Sequence, residues 1–246
     1  MKAMVLAAGL GTRLRPLTND RPKALVEVAG RTLLEITLSR LREVGVKQVI
    51  VNVHHFADMV CDYLKSHQNF GMKVEVSRED ILLDTGGGLK KAAYFFLREA
   101  TDEPFFLHNV DVISTIDLNR MLQVHKENRA LATLAVQDRK TSRYLLFDQK
   151  LQLCGRRVSD EEPEIVRRSE NLQALAFSGI HVISPRLLGM MQEEAAFSII
   201  KTYLELASRE EKILGFRADE FYWQDMGKPE SILQVTEDLK NNTLQE

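Results

Sequence analysis

The chain has 246 residues, of which 44% are hydrophobic, and its formal net charge is −2 at pH 7. This length suits one large α/β domain or two small ones, and the mixture of acids and bases excludes the one-sided charge of a nucleic-acid-binding or membrane-surface protein. No stretch approaches the ~20 apolar residues of a membrane helix. Cys61 and Cys154 lack metal-ligand spacing and predict buried, reduced thiols in a cytoplasmic protein.

The first half of the chain alternates strand and helix patterns. In residues 32–44, apolar side chains recur at helical spacing until Gly45 ends the pattern. The predicted strands are 2–8, 47–53, 72–79 and 104–109, and the predicted helices are 32–44, 56–67, 89–100 and 118–128. Such alternation predicts right-handed crossovers and a largely parallel sheet with helices on both faces.

The second half is richer in strand patterns. Its predicted strands are 131–137, 143–148, 151–155, 174–184 and 212–218, and its predicted helices are 185–194 and 198–210, followed by a loop and a terminal helix within 222–240. We expect some of these strands to be antiparallel and to form a lid over the edge of the sheet at which the parallel strands have their carboxyl ends. No linker is long enough to separate two domains, so a single α/β domain is predicted.

Ligands of parallel sheets bind beyond the carboxyl ends of the strands. The loop after Ala8 and the stretch around Asp111 are both expected at that edge. The loop belongs to "LAAGLGTRLRPLTNDRPKALVEVAG", residues 6–30, in which Gly9 and Gly11 let backbone N–H groups approach phosphates. Arg13 supplies a planar cationic fork, and Lys23 a mobile point charge.

Three other interpretations fit this loop less well. A dinucleotide fingerprint needs glycine or alanine where Leu14 stands, and an acid after the second strand, which ends "VNVHH". A P-loop needs Lys-Ser or Lys-Thr directly after its last glycine, which is absent here. A tight turn with surface cations fits each residue singly but not their density.

Residues 6–30 resemble the signature of the sugar-nucleotidyltransferases, which reads Gly-x-Gly-Thr-Arg-Leu, Pro-Leu-Thr, Pro-Lys and then a Val-rich strand. Later motifs recur in the expected order: "DTGGGLKKA", "NVDV", "FSGIHVIS" and "WQDMGKPESI". The compact length resembles the N-acetylmuramate-1-phosphate uridylyltransferases and the short mannose- and heptose-1-phosphate guanylyltransferases. The resemblance implies a GT-A-like Rossmann-type fold and the joining of a sugar 1-phosphate to a nucleoside triphosphate, with release of pyrophosphate.

The resemblance also assigns residues to the nucleotide. The nucleotide-binding residues are Leu6, Ala8, Gly9, Gly11, Thr12, Arg13, Lys23, Gly86 and Gly87. Arg13 and Lys23 are the expected catalytic residues, Arg13 on the triphosphate and Lys23 on the α-phosphate or the sugar phosphate. Gly86 and Gly87, in a turn after the third strand, are expected against the nucleobase.

Asp111 and Asp225 match the two metal carboxylates of the family, which implies Mg²⁺ as the cofactor. Their alternative roles are a helix cap for Asp111 and a turn for Asp225. The same resemblance divides the domain 1–246 into a nucleotide-binding half, 1–130, and a half, 131–246, that binds the sugar phosphate and supplies the second metal ligand.

The sugar side is assigned to Asn109, Ser178, Gly179 and Arg143. The family usually has glycine where this chain has Val110, which leaves the sugar identity open. His54 and His55 are adjacent but have no further His or Cys at metal spacing, and a hydrogen-bonded role at the sheet edge is favoured.

The expected partners are therefore a nucleoside triphosphate and a sugar 1-phosphate, and no nucleic acid or membrane. The protein is expected to be a monomer or homodimer in the cytoplasm. UTP with N-acetylmuramate 1-phosphate is favoured over GTP with mannose or heptose 1-phosphate. A catalytically silent sensor of nucleotide sugars is the alternative from another class, and the presence of Arg13, Lys23, Asp111 and Asp225 argues against it.

Overall fold

The computed structural model describes residues 1–159 and 161–240. The strands are β1 (Lys2–Leu6), β2 (Glu27–Val28), β3 (Arg31–Thr32), β4 (Gln48–Val53), β5 (Lys73–Arg78), β6 (Phe105–Asn109), β7 (Val112–Ser114), β8 (Ala132–Gln137), β9 (Arg143–Phe147), β10 (Leu153–Val158), β11 (Glu164–Ile165), β12 (Gln173–Ile183), β13 (Ile213–Arg217) and β14 (Trp223–Asp225). The α-helices are α1 (Leu33–Glu43), α2 (Ala57–Ser66), α3 (Asp84–Lys91), α4 (Ala93–Leu97), α5 (Leu118–Asn128), α6 (Ile199–Ser208) and α7 (Pro229–Lys240), and short 3-10 helices occupy Thr12–Leu14, Lys23–Leu25, Gln68–Gly71 and Pro185–Met190. The last six residues of the predicted domain 1–246, and residue 160, lie outside the described residues.

Strand β1 is the centre of the parallel part of the sheet. It pairs in parallel with β4 on one side and β6 on the other, and β4 pairs in parallel with β5. Ala3, Met4 and Val5 are all fully buried, as expected for a strand covered on both faces. The carboxyl ends of β1, β4, β5 and β6 therefore meet at one edge of the sheet.

The second half of the chain extends the same sheet. The long strand β12 runs antiparallel to β6 and also pairs with β8 and β9, while β13 pairs in parallel with β8. Strands β9, β10 and β11 continue the sheet by antiparallel pairing. Of the ten strands, β10 and β12 run against the other eight. A mixed, mostly parallel sheet in a single domain is confirmed. The expected lid is wrong, because β12 pairs with the free edge of β6 and the other strands of the second half continue the same sheet from β12.

Helices cover both faces of the sheet. On one face, α1, α2 and α5 bury an apolar cluster that includes Ala3 and Val5. On the other face, α3, α4 and α6 bury a second cluster that includes Met4 and Tyr203. The alternation of neighbouring residues between the two clusters follows from the two-residue period of a strand. Among the described residues, none of the helices has the length and apolar character needed to cross a bilayer.

The predicted turn at "DTGGG" is wrong, because Asp84 begins α3 and the three glycines lie in its first turns. The N–H groups of Gly86 and Gly87 donate to the carbonyl oxygen of Phe197 at 2.9 and 3.3 Å. The absence of side chains lets α3 approach the segment before α6 closely. Two of the N–H groups in the first turn of α3 are thus satisfied by a tertiary contact.

Three other local expectations changed. The predicted helix 185–194 is reduced to the 3-10 helix Pro185–Met190. The predicted loop before α7 contains β14, which pairs with β7. Cys154 is buried as expected, but Cys61 is only partly buried. Most other predicted elements lie within a few residues of their observed bounds.

The close contact at Gly86 predicts a large cost for adding a methyl group. A Cβ at Gly86 would overlap the Phe197 ring and lie 2.9 Å from the Phe197 carbonyl oxygen. We expect Gly86→Ala to lower the free energy of unfolding by about 1–3 kcal/mol, as overpacked sites do, in urea denaturation without ligands. Gly189→Ala is the matched control, because a Cβ there meets nothing within 4 Å, and its change should stay below about 1 kcal/mol. Equal effects of the two substitutions would contradict the packing role of Gly86.

Candidate active site

A cavity of about 550 Å³ opens at the carboxyl-terminal edge of the parallel strands. It is lined by residues 6–13, residues 109–111, Lys23, Asn52, Leu82, Asp84, Thr85, Ala196 and Gly227. The loop after β1 and the segment after β6 thus lie together, as expected for the ligand edge of such a sheet. Most of the residues predicted for the nucleotide line this cavity: Leu6, Ala8, Gly9, Gly11, Thr12, Arg13 and Lys23.

The glycine loop is fixed by a few local contacts. The N–H of Ala7 donates to Asn52 Oδ1 at 2.8 Å, and the hydroxyl of Thr18 donates to the Gly11 carbonyl oxygen at 2.8 Å. Gly11 has φ 63°, and a Cβ there would lie 3.1 Å from Cβ of Lys23. The buried side chain of Leu14 anchors the loop to the core. Gly11 therefore allows both the left-handed turn and the close approach of the segment that carries Lys23.

The two predicted catalytic cations differ in environment. Arg13 is exposed, and its guanidinium lies beside Gly227, where a Cβ would be 3.1 Å from Nη2 of Arg13. Lys23 is only 7% exposed, and its Nζ donates to Oδ2 of Asp111. A buried lysine paired with a carboxylate is held in place in the absence of a ligand.

Asp111 and Asp225 are brought together by backbone pairing. Strand β14 pairs with β7, so that Asp225 lies opposite Val112, and the N–H of Met226 donates to the Asp111 carbonyl oxygen at 2.7 Å. Burial and the charge of Asp111 raise the pKa of Asp225, while the charges of Lys23 and Arg13 lower it. The second half of the chain thus contributes a carboxylate to a site built largely by the first half.

The two carboxylates suit a hard divalent cation. Among the described residues, no third His, Cys, Asp or Glu joins them to form a larger cluster. Mg²⁺ is typically bound by one or two carboxylates and completes its shell with water and substrate phosphate oxygens. The pair of aspartates therefore fits a cation whose remaining ligands are water and phosphate oxygens of a substrate. It fits less well a cation that is ligated by protein side chains alone.

Gly86 and Gly87 are not among the residues that line the cavity, and their contact with a nucleobase stays a prediction. Their backbone groups contact Phe197 instead. From this segment the cavity is lined by Leu82, Asp84 and Thr85. Asp84 has φ 57°, and its Oδ1 accepts from the N–H of Thr85 at 2.6 Å. Asp84 was not predicted as a site residue, although an acid two residues before a glycine run was a visible signal.

The predicted sugar-side residues have different surroundings. Asn109 lines the cavity, and its Oδ1 is buried without a hydrogen-bond partner. Gly179 has φ 75°, and a Cβ there would lie 3.0 Å from Asn109 Nδ2, so glycine is needed at this contact. Ser178 is fully buried and presents its carbonyl oxygen to Nε1 of Trp223 at 2.8 Å. The side chain of Val110 packs into the core, which shows how the chain accommodates valine there.

Arg143 is exposed at the start of β9 and does not line the cavity, so its contact with the sugar stays a prediction. His54 makes the expected structural contact, since its Nδ1 donates to the Glu79 carbonyl oxygen at 2.8 Å. A different arginine is close to the site: the guanidinium of Arg139 stacks on Trp223, 3.6 Å from the ring centroid. No motif spacing distinguishes Arg139 from the neighbouring cations in the sequence, and it was not among the predicted site residues.

Comparisons with known proteins agree with this geometry. The family model described as Nucleotidyl transferase matches residues 2–242. An N-acetylmuramate α-1-phosphate uridylyltransferase of Caulobacter vibrioides is 50% identical over 114 residues, which are 45% of this chain and 46% of the relative. A mannose-1-phosphate guanyltransferase of Yarrowia lipolytica is 31% identical over 96% of this chain and 63% of the relative. The chain thus spans less than two thirds of the length of both relatives.

Solved structures share the fold. HddC from Yersinia pseudotuberculosis complexed with GMP-PN superposes with a TM-score of 0.75 at 20% identity, over 97% of this chain and 99% of the other. UDP-glucose pyrophosphorylase complexed with UDP-glucose gives a TM-score of 0.79 at 15% identity, over 98% of both chains. Together with the family match, the glycine loop, Lys23 and Asp111 at one cavity, with Asp225 held near Asp111, identify this chain as a member of the nucleotidyl transferase family.

Proposed function

We propose that this protein transfers a nucleotidyl group from a nucleoside triphosphate to a sugar 1-phosphate and releases pyrophosphate. The observation that carries the proposal is that Arg13, Lys23 and Asp111 line the glycine-loop cavity and that the β7–β14 pairing holds Asp225 near Asp111. The first half of the chain, residues 1–130, provides the glycine loop with Arg13, Lys23 and Asp111. The second half, residues 131–246, provides Asp225. This division supports the assignment of the nucleotide to the first half and of the sugar phosphate and second metal ligand to the second.

The chemistry needs positioning and charge compensation more than a base. The attacking oxygen of a sugar phosphate is already ionised at neutral pH, so no proton has to be removed from it. The difficulty is to bring two polyanions together and to stabilise the charge that develops on pyrophosphate. Arg13 at the mouth of the cavity suits the triphosphate, and Lys23 beside Asp111 suits the reacting phosphate. Mg²⁺, held by Asp111 and Asp225, would supply Lewis-acid neutralisation of the phosphate oxygens.

For the substrates we infer UTP and N-acetylmuramate 1-phosphate, supported by the 50% identity of the Caulobacter relative over part of the chain. GTP with mannose 1-phosphate is the second candidate, favoured by guanyltransferase relatives that match 96% of the chain. We place the enzyme in cytoplasmic nucleotide-sugar and cell-wall precursor synthesis, as a monomer or homodimer. The test is pyrophosphate release across the four nucleoside triphosphates and these sugar 1-phosphates, with and without Mg²⁺. Absence of release from every pair would favour a silent sensor.

Removing the positive charge of Arg13 or of Lys23 should abolish most of the turnover. We expect Arg13→Ala and Lys23→Ala each to lower kcat about 100-fold or more, as the loss of a group that stabilises developing charge does. Thermal melting should show that both variants remain folded. Arg21→Ala is the matched control, because Arg21 is an exposed cation of the same loop that pairs with Asp20 and does not line the cavity. Near-normal turnover in a variant at Arg13 or Lys23 would remove that residue from the mechanism.

The two aspartates should couple cation binding to stability. Because burial and Asp111 raise the pKa of Asp225, ionised Asp225 opposes folding at neutral pH, and this opposition is relieved as pH falls through its raised pKa. We therefore expect Asp225→Asn to melt at a higher temperature than the parent protein at pH 7 in EDTA, with the difference shrinking in acid. Adding Mg²⁺ at 100 times its Kd should stabilise the parent by about 2.7 kcal/mol and leave Asp225→Asn unchanged.

Asp62→Asn is the control for this measurement, since Asp62 is an exposed carboxylate of α2. It should respond to Mg²⁺ as the parent does. An equal response of Asp225→Asn and the parent would show that Asp225 is not a ligand of the cation.

A further inference from the structure

Arg139 lies just beyond the end of β8 and contacts two other parts of the site. Its guanidinium stacks on the ring of Trp223, with 3.6 Å between the guanidinium carbon and the ring centroid. Its Nη2 donates to the carbonyl oxygen of Phe177 at 2.7 Å. Trp223 is two residues before Asp225, and Phe177 directly precedes Ser178. The side chain therefore bridges the strand of the second carboxylate and the strand predicted to face the sugar.

The guanidinium retains donors that the protein does not use. Nε of Arg139 is buried and has no hydrogen-bond partner. Within residues 1–159 and 161–240, no carboxylate forms an ion pair with Arg139. Burial lowers the pKa of Arg139, and the charge of Asp225 acts in the opposite direction. An arginine that is desolvated and has no carboxylate in direct contact costs folding free energy, which points to an anion that completes it.

A purely structural role explains this arrangement less well. Nε1 of Trp223 donates to the Ser178 carbonyl oxygen at 2.8 Å, and Trp223 pairs with Ser114 in the β7–β14 ladder. The ring is therefore held by contacts that do not involve Arg139. A neutral side chain would cover the ring without bringing a charge into a half-buried place.

The position of Arg139 relative to Asp225 indicates which anion it meets. Residues 223 and 225 face the same side of β14, because side chains alternate along a strand. Arg139 stacks on Trp223, whereas Arg13 lies beside Gly227, so that the two arginines flank Asp225 along the chain. In the proposed function, Arg13 faces the triphosphate, and the second polyanion must reach the same carboxylates from the side of Phe177 and Ser178.

We propose that Arg139 binds an anionic oxygen of the sugar phosphate, either of its 1-phosphate or of an acidic substituent on the sugar. This inference rests on the proposed function and names a further binding residue for its second substrate. A planar fork already held by a ring and a carbonyl oxygen is pre-organised for a phosphate or carboxylate.

The test compares Arg139→Gln and Arg139→Lys in steady-state pyrophosphate release. We expect Arg139→Gln to raise KM for the sugar 1-phosphate at least tenfold and to leave KM for the nucleoside triphosphate within twofold. Arg139→Lys should fall between Arg139→Gln and the parent, because it keeps the charge and loses the fork. Arg98→Gln is the matched control, since Arg98 also stacks on an aromatic ring, that of Phe95 at 4.6 Å, and pairs with Glu75 away from the cavity.

The choice of sugar distinguishes the two possible anions. If Arg139 binds the 1-phosphate, Arg139→Gln raises KM equally for N-acetylmuramate 1-phosphate and N-acetylglucosamine 1-phosphate. If it binds the carboxylate, only the muramate substrate is affected. A loss of kcat with both KM values unchanged, or equal increases for sugar phosphate and nucleotide, would overturn the proposal. Should Arg139→Gln not fold in a melting experiment, Arg139→Lys decides by the same criteria.

Fluorescence separates this inference from the proposed function. Trp223 is the one tryptophan of the chain, so a ligand bound at Arg139 should change its emission directly. If the parent releases no pyrophosphate with any substrate pair, the proposed function fails. The inference then stands if the sugar 1-phosphates shift the emission of the parent but not of Arg139→Gln, and it falls if they shift neither or both.

Discussion

Two carboxylates that repel each other are held side by side at the candidate site, and much of the structure serves to hold them there. The pairing of β7 with β14 places Asp225 opposite Val112 and fixes Met226 on the Asp111 carbonyl oxygen. Burial, and after it the like charge of Asp111, raise the pKa of Asp225. Lys23 and Arg13 offset part of this repulsion, and the remainder favours a divalent cation and its phosphate ligands.

The direction of the strands explains why these groups meet. Four parallel strands, in the order β6-β1-β4-β5, end at one edge, so the loop after β1 and the aspartate after β6 share that edge. The reversed strand β12 then brings residues from the other half of the chain alongside β6. Gly179, with its positive φ, lets β12 pass within contact of Asn109. One sheet thus collects side chains from both halves without a separate lid.

Glycine has two physical uses in this molecule. At Gly11 it permits a left-handed backbone next to Lys23, and so shapes a loop around the cavity. At Gly86 and Gly87 it permits a helix to lie against the carbonyl oxygens of the segment before α6. Both uses are visible in sequence as clustered glycines. The clusters alone do not distinguish a loop that approaches a ligand from a helix that approaches another part of the protein.

The sequence by itself determined the order of most strands and helices, the parallel core and the residues of the glycine loop, because these follow from local periodicity and from a long contiguous motif. It also indicated Asp111 and Asp225, through motif order. Only the tertiary structure decided that Gly86 and Gly87 face Phe197, that Arg143 is exposed at the start of β9, and that Arg139 stacks on Trp223. These outcomes depend on contacts between residues far apart in the chain, where burial and backbone pairing outweigh local preference, and no local pattern carries that information.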